Sequence, residues 1–217
     1  MFAFRKKYES YSDEALMELV GKGDERAFGQ LYDRYATKMH HYFYRMLYRN
    51  QEKANDFTQD LFLKLVEKGA SYDPKRKFST WFYAVAGNMC KNEYRSRSRR
   101  GSTESMSEEI IRQLADPGMA DPYFSNPIDR DSFDKELTQA IEQLEWPHRQ
   151  CFVLRYQDEL PIKQISEIVG CPEGTVKSRL YYATRKLSER LKSYQEGRPR
   201  QAKKGGACKK TICDEKQ

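Results

Sequence analysis

The amino-acid sequence predicts an all-α protein of two small helical domains joined by a flexible acidic linker, with a helix-turn-helix in the second. Three observations predict it. Apolar residues recur at three- and four-residue steps through both halves, no strand-like alternation persists, and only 12 of 217 residues are glycine. Between Gly101 and Ile128 this pattern dissolves into Ser, Asp, Glu, Pro and Gly. Finally, Leu160 to Leu187, LPIKQISEIVGCPEGTVKSRLYYATRKL, reads as two short helices around a tight turn. The resulting boundaries are 11–100, 101–128, 129–194 and a basic, aperiodic tail over 195–217.

The first helix opens at Ser12-Asp13-Glu14, a cap followed by acids that the helix dipole favours. Leu16, Leu19 and Val20 form its apolar face, and Gly21 and Gly23 end it. Asp24 starts a long second helix whose core stripe is Ala27, Phe28, Leu31, Tyr32, Tyr35, Met39, Tyr42, Phe43, Met46 and Leu47. After Arg49-Asn50-Gln51 a third helix runs to about Lys68 and buries Ala54, Phe57, Leu61, Phe62, Leu65 and Val66. Asp56, Gln59, Asp60 and Leu63 fall on another face, and spacing alone assigns them to solvent.

GASYDPKRK is a loop, and Ser79 or Thr80 caps the fourth helix. Phe78, Trp81, Phe82 and Tyr83 crowd that helix's start, while Asn88, Lys91, Asn92, Arg95, Arg97, Arg99 and Arg100 follow. Phe82, Val85, Ala86 and Met89 fit a core stripe. Rings beside amides and cations also suit exposed bases and phosphates. Between Glu104 and Glu136 nine acids face three bases, which suits a tether better than a DNA-binding segment.

In the second domain Phe133, Leu137, Ile141 and Leu144 mark one helix, and Pro147 opens the next, which carries Cys151, Phe152, Leu154 and Tyr156. Ile162, Ile165, Ile168 and Val169 then share a face until Gly170-Cys171-Pro172. Thr175 caps or opens the last helix, which buries Val176, Leu180, Ala183 and Leu187. Lys177, Ser178, Arg179, Tyr182, Arg185 and Lys186 point outward, the layout of a DNA-reading helix.

Charge agrees with a polyanionic partner: a third of the residues are charged and the formal net charge is +7. No apolar run approaches membrane-spanning length, and MFAFRKKYES does not read as a signal peptide. Five scattered cysteines argue against a disulfide framework and place the chain in a reducing cytoplasm. Cys208 and Cys213 are too few for structural zinc and read as free thiols. His40, His41 and His148 lack catalytic neighbours in sequence, and no metal-ligand cluster, nucleophile–base pair or phosphate-cradling loop stands out. The expectation is binding rather than catalysis, with no metal, cofactor or small-molecule substrate.

Residues 11–100 and 130–192 resemble bacterial RNA polymerase sigma factors of the extracytoplasmic-function class. SDEALMELVGKGDERAFGQLYDRY is similar to the family's opening segment and ANDFTQDLFLKL to its core-polymerase-binding helix. FSTWFYAVAGNMCKNEYRSRSRR is similar to its promoter-melting helix, and LEWPHRQCFVLRYQDELPIKQISEIVGCPEGTVKSRLYYATRKL to its promoter-reading domain. The resemblance implies core RNA polymerase (its largest-subunit clamp coiled coil and flap region) and promoter DNA as partners, and leaves open an anti-sigma factor, which many members have. It turns Asp56, Gln59, Asp60, Phe62 and Leu63 into a core-binding surface. It assigns Tyr72, Phe78, Trp81 and Asn88 to a minus-ten pocket for an extruded base or its walls, Lys77, Lys91, Arg95 and Arg97 to the backbone there, and Thr80 to minus-ten DNA binding. For the minus-thirty-five element it implies Thr175, Lys177, Ser178, Arg179, Tyr182 and Arg185, with Arg155 and Lys163 on phosphates. Tyr182 stands where many members have Arg. A stand-alone helix-turn-helix regulator is the alternative reading.

Overall fold

A computed structural model describes residues 8–99 and 127–195; the acidic linker and the basic tail lie outside the described residues. The helices are α1 (Asp13–Gly21), α2 (Glu25–Met46), α3 (Gln51–Lys68), α4 (Phe78–Arg99), α5 (Pro127–Glu142), α6 (Trp146–Tyr156), α7 (Ile162–Val169), α8 (Glu173–Arg190) and the short α9 (Lys192–Gln195). A single 3-10 turn, Gly69–Ser71, follows α3.

Local chemistry sets the starts of the first three helices. Ser12 Oγ accepts from the Ala15 amide, Asp24 from Arg26 and Ala27, and Asn50 from Lys53. Asp13 then fastens α1 to α2, pairing with the Arg34 guanidinium at 2.6 Å and accepting from the Tyr35 hydroxyl at 2.5 Å. The start of α4 departs from expectation. Ser79 and Thr80 lie inside its first turn, and the Phe78 amide donates instead to Glu14 Oε1 of α1 at 2.9 Å. In the helix-turn-helix, Gly170 ends α7 with a left-handed backbone (φ 66°), where a Cβ would be strained. Pro172 precedes α8, so Thr175 sits within the first turn and is not the cap.

The first core is largely as expected, with two exceptions. Periodicity places Tyr32 and Val66 inward, yet 46% and 52% of their surfaces are exposed. Both sit at the margin of a helical stripe whose centre is filled by Leu31, Leu61 and Leu65. Met17 joins the core unforeseen.

The two domains are in contact, and one hydrophobic cluster runs continuously from Leu16 on α1 to Leu180 on α8. α7 and α6 lie against α4, and α6 also against the end of α2. Gln164 Nε2 donates to Ser79 Oγ at 2.9 Å, and the Trp146 and Tyr94 rings are 5.8 Å apart. Gly87 makes room for the Gln150 amide, since a Cβ there would lie 2.5 Å from Nε2. Arg149 is fully buried and lies over the Tyr48 ring at 4.4 Å, with Arg97 over the same ring at 4.5 Å.

Candidate nucleic-acid and polymerase interface

Three surfaces carry the candidate residues. On α3, Asp56, Gln59 and Asp60 are exposed, and Leu63 among them is 62% exposed. Phe62 differs: it is 3% exposed, packed against Tyr32 at 4.7 Å and Phe82 at 5.5 Å. It cannot touch a partner and instead props Tyr32 from beneath. Val66 follows Leu63 by three residues on the same helical side, so the two form an exposed apolar patch; periodicity separates Leu63 from the core but not Val66 or Tyr32.

On α4, Trp81, Asn88, Lys91 and Arg95 fall along one side at steps of seven, three and four. Asn88, Lys91 and Arg95 are exposed and Trp81 is half-buried. Tyr72 leans on Trp81 with ring centroids 5.3 Å apart, and its hydroxyl donates to the Arg76 carbonyl, which folds the preceding loop back on itself. Tyr72 and Trp81 thus form a ring-lined wall, with exposed Lys77 at its edge. Phe78 is not part of that wall. It is fully buried, stacked on Phe82 at 5.1 Å and edge-on to Tyr35 at 5.2 Å. The Thr80 hydroxyl is buried without a hydrogen-bond partner. Arg97 lies half a helical turn away from Asn88 and packs on Tyr48, so the structure does not bring it to the same side.

On α8, Lys177, Ser178, Tyr182 and Arg185 are exposed. Ser178 Oγ donates to the Gly174 carbonyl, and Arg185 Nε to Glu189 Oε1 at 3.0 Å. Tyr182 meets the His148 ring at 6.1 Å, adding a histidine that no motif or spacing places there. Arg179 departs from the outward expectation. Its guanidinium is half-buried and its Nη1 rests on Cys171 Sγ at 3.5 Å. Thr175 is half-buried in the first turn. Arg155 is exposed with Nη1 on the Leu160 carbonyl at 3.1 Å, and Lys163 is exposed.

Two cation-bearing helical faces, one beside an aromatic wall and one in a helix-turn-helix, with a separate uncovered apolar patch, are the features of a helical DNA-binding protein that also docks on another protein. Residues 31–100 match the family model for sigma-70 region 2, and residues 134–187 that for sigma-70 region 4. The chain is 33% identical over 184 residues to the ECF RNA polymerase sigma factor SigW of Bacillus subtilis, covering 80% of this chain and 93% of that protein. It is 31% identical over 187 residues to the ECF RNA polymerase sigma-E factor of Escherichia coli K12, covering 84% and 96%. Among solved structures, CnrH in complex with the cytosolic domain of CnrY matches with a TM-score of 0.62 at 20% identity, covering 84% of this chain and 99% of that one. RpoE of Bartonella quintana in complex with the anti-sigma factor NepR matches with a TM-score of 0.56 at 21% identity, covering 76% and 96%. The chain belongs to the ECF family of RNA polymerase sigma factors, and it directs promoter-specific transcription initiation. Among the described residues no helix is long and apolar enough to cross a membrane.

Proposed function

We propose that the three surfaces divide the work of initiation. The α3 patch, with Leu63 as apolar anchor among Asp56, Gln59 and Asp60, docks on the clamp coiled coil of core polymerase, and buried Phe62 holds its shape. The α4 side with Trp81, Asn88, Lys91 and Arg95, joined by Tyr72 and Lys77, takes the minus-ten element. Flipping a base out of the stack costs a few kcal/mol, and the Tyr72–Trp81 wall returns part of that by stacking. Lys91 and Arg95 hold phosphates beside it. On α8, Lys177, Ser178, Tyr182 and Arg185 face the minus-thirty-five element, with Arg155 and Lys163 on its backbone. Arg179 joins them once its guanidinium leaves Cys171.

The chain acts by binding, without a chemical step of its own, in the cytoplasm where polymerase and DNA are found. The observation that carries this reading is α4, whose single side sets a ring, an amide and two cations in line toward solvent. An anti-sigma partner for this chain is suggested by the neighbour RpoE, which is bound to the anti-sigma factor NepR. Purified core polymerase should gain start sites on genomic promoter fragments only when the protein is added, and lose them with Trp81→Ala. Persistent DNA binding without polymerase binding or new start sites would replace this reading with a stand-alone helix-turn-helix regulator.

A further inference from the structure

We propose that the cavity bounded by the turn after α2, the second half of α4 and Trp146 of α6 binds a small planar acid, one aromatic ring carrying a carboxylate or a phosphate. Such a site makes the chain a receptor as well as a DNA-binding protein. It uses none of the residues proposed to read DNA or to dock on polymerase, so it stands whether or not those assignments hold. The cavity measures about 100 Å³. Cavities of roughly 150 Å³ hold a benzene ring, so this one, lined in part by exposed Lys53, Tyr94 and Arg97, is scaled to a single ring rather than a nucleotide.

The walls account for the ring. Tyr44, Tyr48, Tyr94 and Trp146 all line the cavity, the last two with centroids 5.8 Å apart. Aromatic walls of this kind let a further ring pack edge-on or offset among them. Buried Met46 and Leu47 add apolar surface. Cys90 is fully buried there, and burial pushes its thiol up, so it stays neutral. Tyr48 and Arg49 reach the cavity through consecutive left-handed backbones, φ 59° and 54°, with no glycine to ease them. Strain of this kind collects where a chain holds a ligand.

The charges account for the acid. A box of rings alone suits a cation. Here the chain supplies that cation itself, with the guanidinium carbons of Arg97 and Arg149 lying 4.5 and 4.4 Å from the Tyr48 ring centre. Arg149 Nη2 donates to the Glu142 and Leu144 carbonyls, while Nε and Nη1 are buried with no hydrogen-bond partner among the described residues. Lys53 pairs with Glu93 at 2.5 Å. Burial pushes the Glu142 carboxyl up although Arg149, Arg49 and Arg97 all pull it down, so three guanidiniums share this one carboxylate. With Arg149 and Glu142 added to the lining, four cations (Arg49, Lys53, Arg97 and Arg149) stand against two carboxylates, Glu93 and Glu142. The unbalanced charge lies beside buried rings, where solvent screens it least. A guanidinium meets a carboxylate or phosphate with two parallel hydrogen bonds, and Arg49 and Arg97 are the guanidiniums that line the cavity.

Calorimetric titration of the full chain tests the site. Benzoate and phenyl phosphate should bind with submillimolar affinity, and the tighter of the two names the acid. Acetate, which lacks the ring, and benzyl alcohol, which lacks the charge, should each bind about tenfold more weakly or worse, and benzylamine should not bind. Arg97→Gln, on an exposed side chain, should weaken both aromatic acids about tenfold with unchanged helical circular dichroism, and Lys53→Gln should weaken them about threefold. Lys22→Gln, on the exposed end of α1, should change neither affinity. In Trp81→Phe the sole remaining tryptophan is Trp146, whose fluorescence should change saturably with the same midpoint as the heat. No saturable binding of either aromatic acid overturns the proposal. Acetate as tight as benzoate reduces the cavity to general anion attraction, and benzyl alcohol as tight as benzoate reduces it to an apolar hole; either result overturns it. Acid binding that survives both Arg97→Gln and Lys53→Gln, or that leaves Trp146 unchanged, lies elsewhere and overturns the site.

Discussion

Phe78 and Trp81 are three residues apart at the start of α4, and the structure gives them opposite duties. Phe78 is fully buried and touches the rings of Tyr35, Tyr72, Trp81 and Phe82. Cutting it to Ala removes a whole ring from a packed site, which costs about 3–5 kcal/mol. Because the two domains share one core, the appropriate conversion is about 2–4 °C per kcal/mol, so Phe78→Ala should lower Tm by about 6–20 °C. Trp81 is half-buried, and Trp81→Ala loses the transfer energy of about half a ring, about 1–2 kcal/mol, or a few degrees. Promoter opening, followed by 2-aminopurine fluorescence at the minus-ten element, should fall at least tenfold for Trp81→Ala at a temperature where it is folded. Calorimetry and opening are measured on the same preparations. If Phe78→Ala kept a Tm within about 3 °C of wild type yet lost opening, Phe78 would be a base-facing ring and the burial argument would be refuted.

Glu14→Ala should lower Tm by about 2–4 °C, since one charged cap on a helix N-terminus is worth about 1 kcal/mol, and Glu14→Gln should lower it less because its amide oxygen still accepts; equal losses would assign the whole effect to charge. Leu63→Asp should weaken core polymerase binding at least tenfold in a direct titration while the unfolding free energy stays within about 0.5 kcal/mol of wild type, the range for exposed positions. Arg95→Ala should reduce the slope of log affinity against log salt by about 0.7–0.9 on promoter DNA, the signature of one lost phosphate contact; an unchanged slope would remove Arg95 from the backbone.

The sequence revealed most where the controlling forces are local. Ser12, Asp24 and Asn50 announce their helices because a cap acts within three residues, and Gly170 announces the turn because only its own backbone must be left-handed. The start of α4 is not legible locally, because its cap comes from Glu14, 64 residues earlier. The crowd of Phe78, Trp81, Phe82 and Tyr83 defeats periodicity, since rings at spacings of one, three and four cover more than half of a helix. Tyr32 and Val66 share the period of the core yet lie at its edge, where burial depends on what the neighbouring helix happens to cover. The docking role proposed for the α3 stripe comes from the family resemblance and not from the pattern, which assigns those residues to solvent. The contact between the domains left no trace in sequence. Gln150, Asp158 and Gln164 read as ordinary polar positions of a small domain until the other domain is set against them.

The residues of α4 proposed to read DNA are exposed, while Ser79, Gly87 and Tyr94 of the same helix meet the second domain, so on that proposal promoter choice and interdomain contact fall to separate residues of a single helix. A hybrid factor made by grafting the second domain of a relative behind residue 100 would carry a new specificity but a foreign set of partners for Ser79, Tyr83 and Gly87. Transplanting only the outward residues of α8 would leave Gln150, Asp158 and Gln164 in place. The graft boundary, more than the degree of similarity between donor and recipient, then decides whether a chimera inherits this chain's interdomain behaviour.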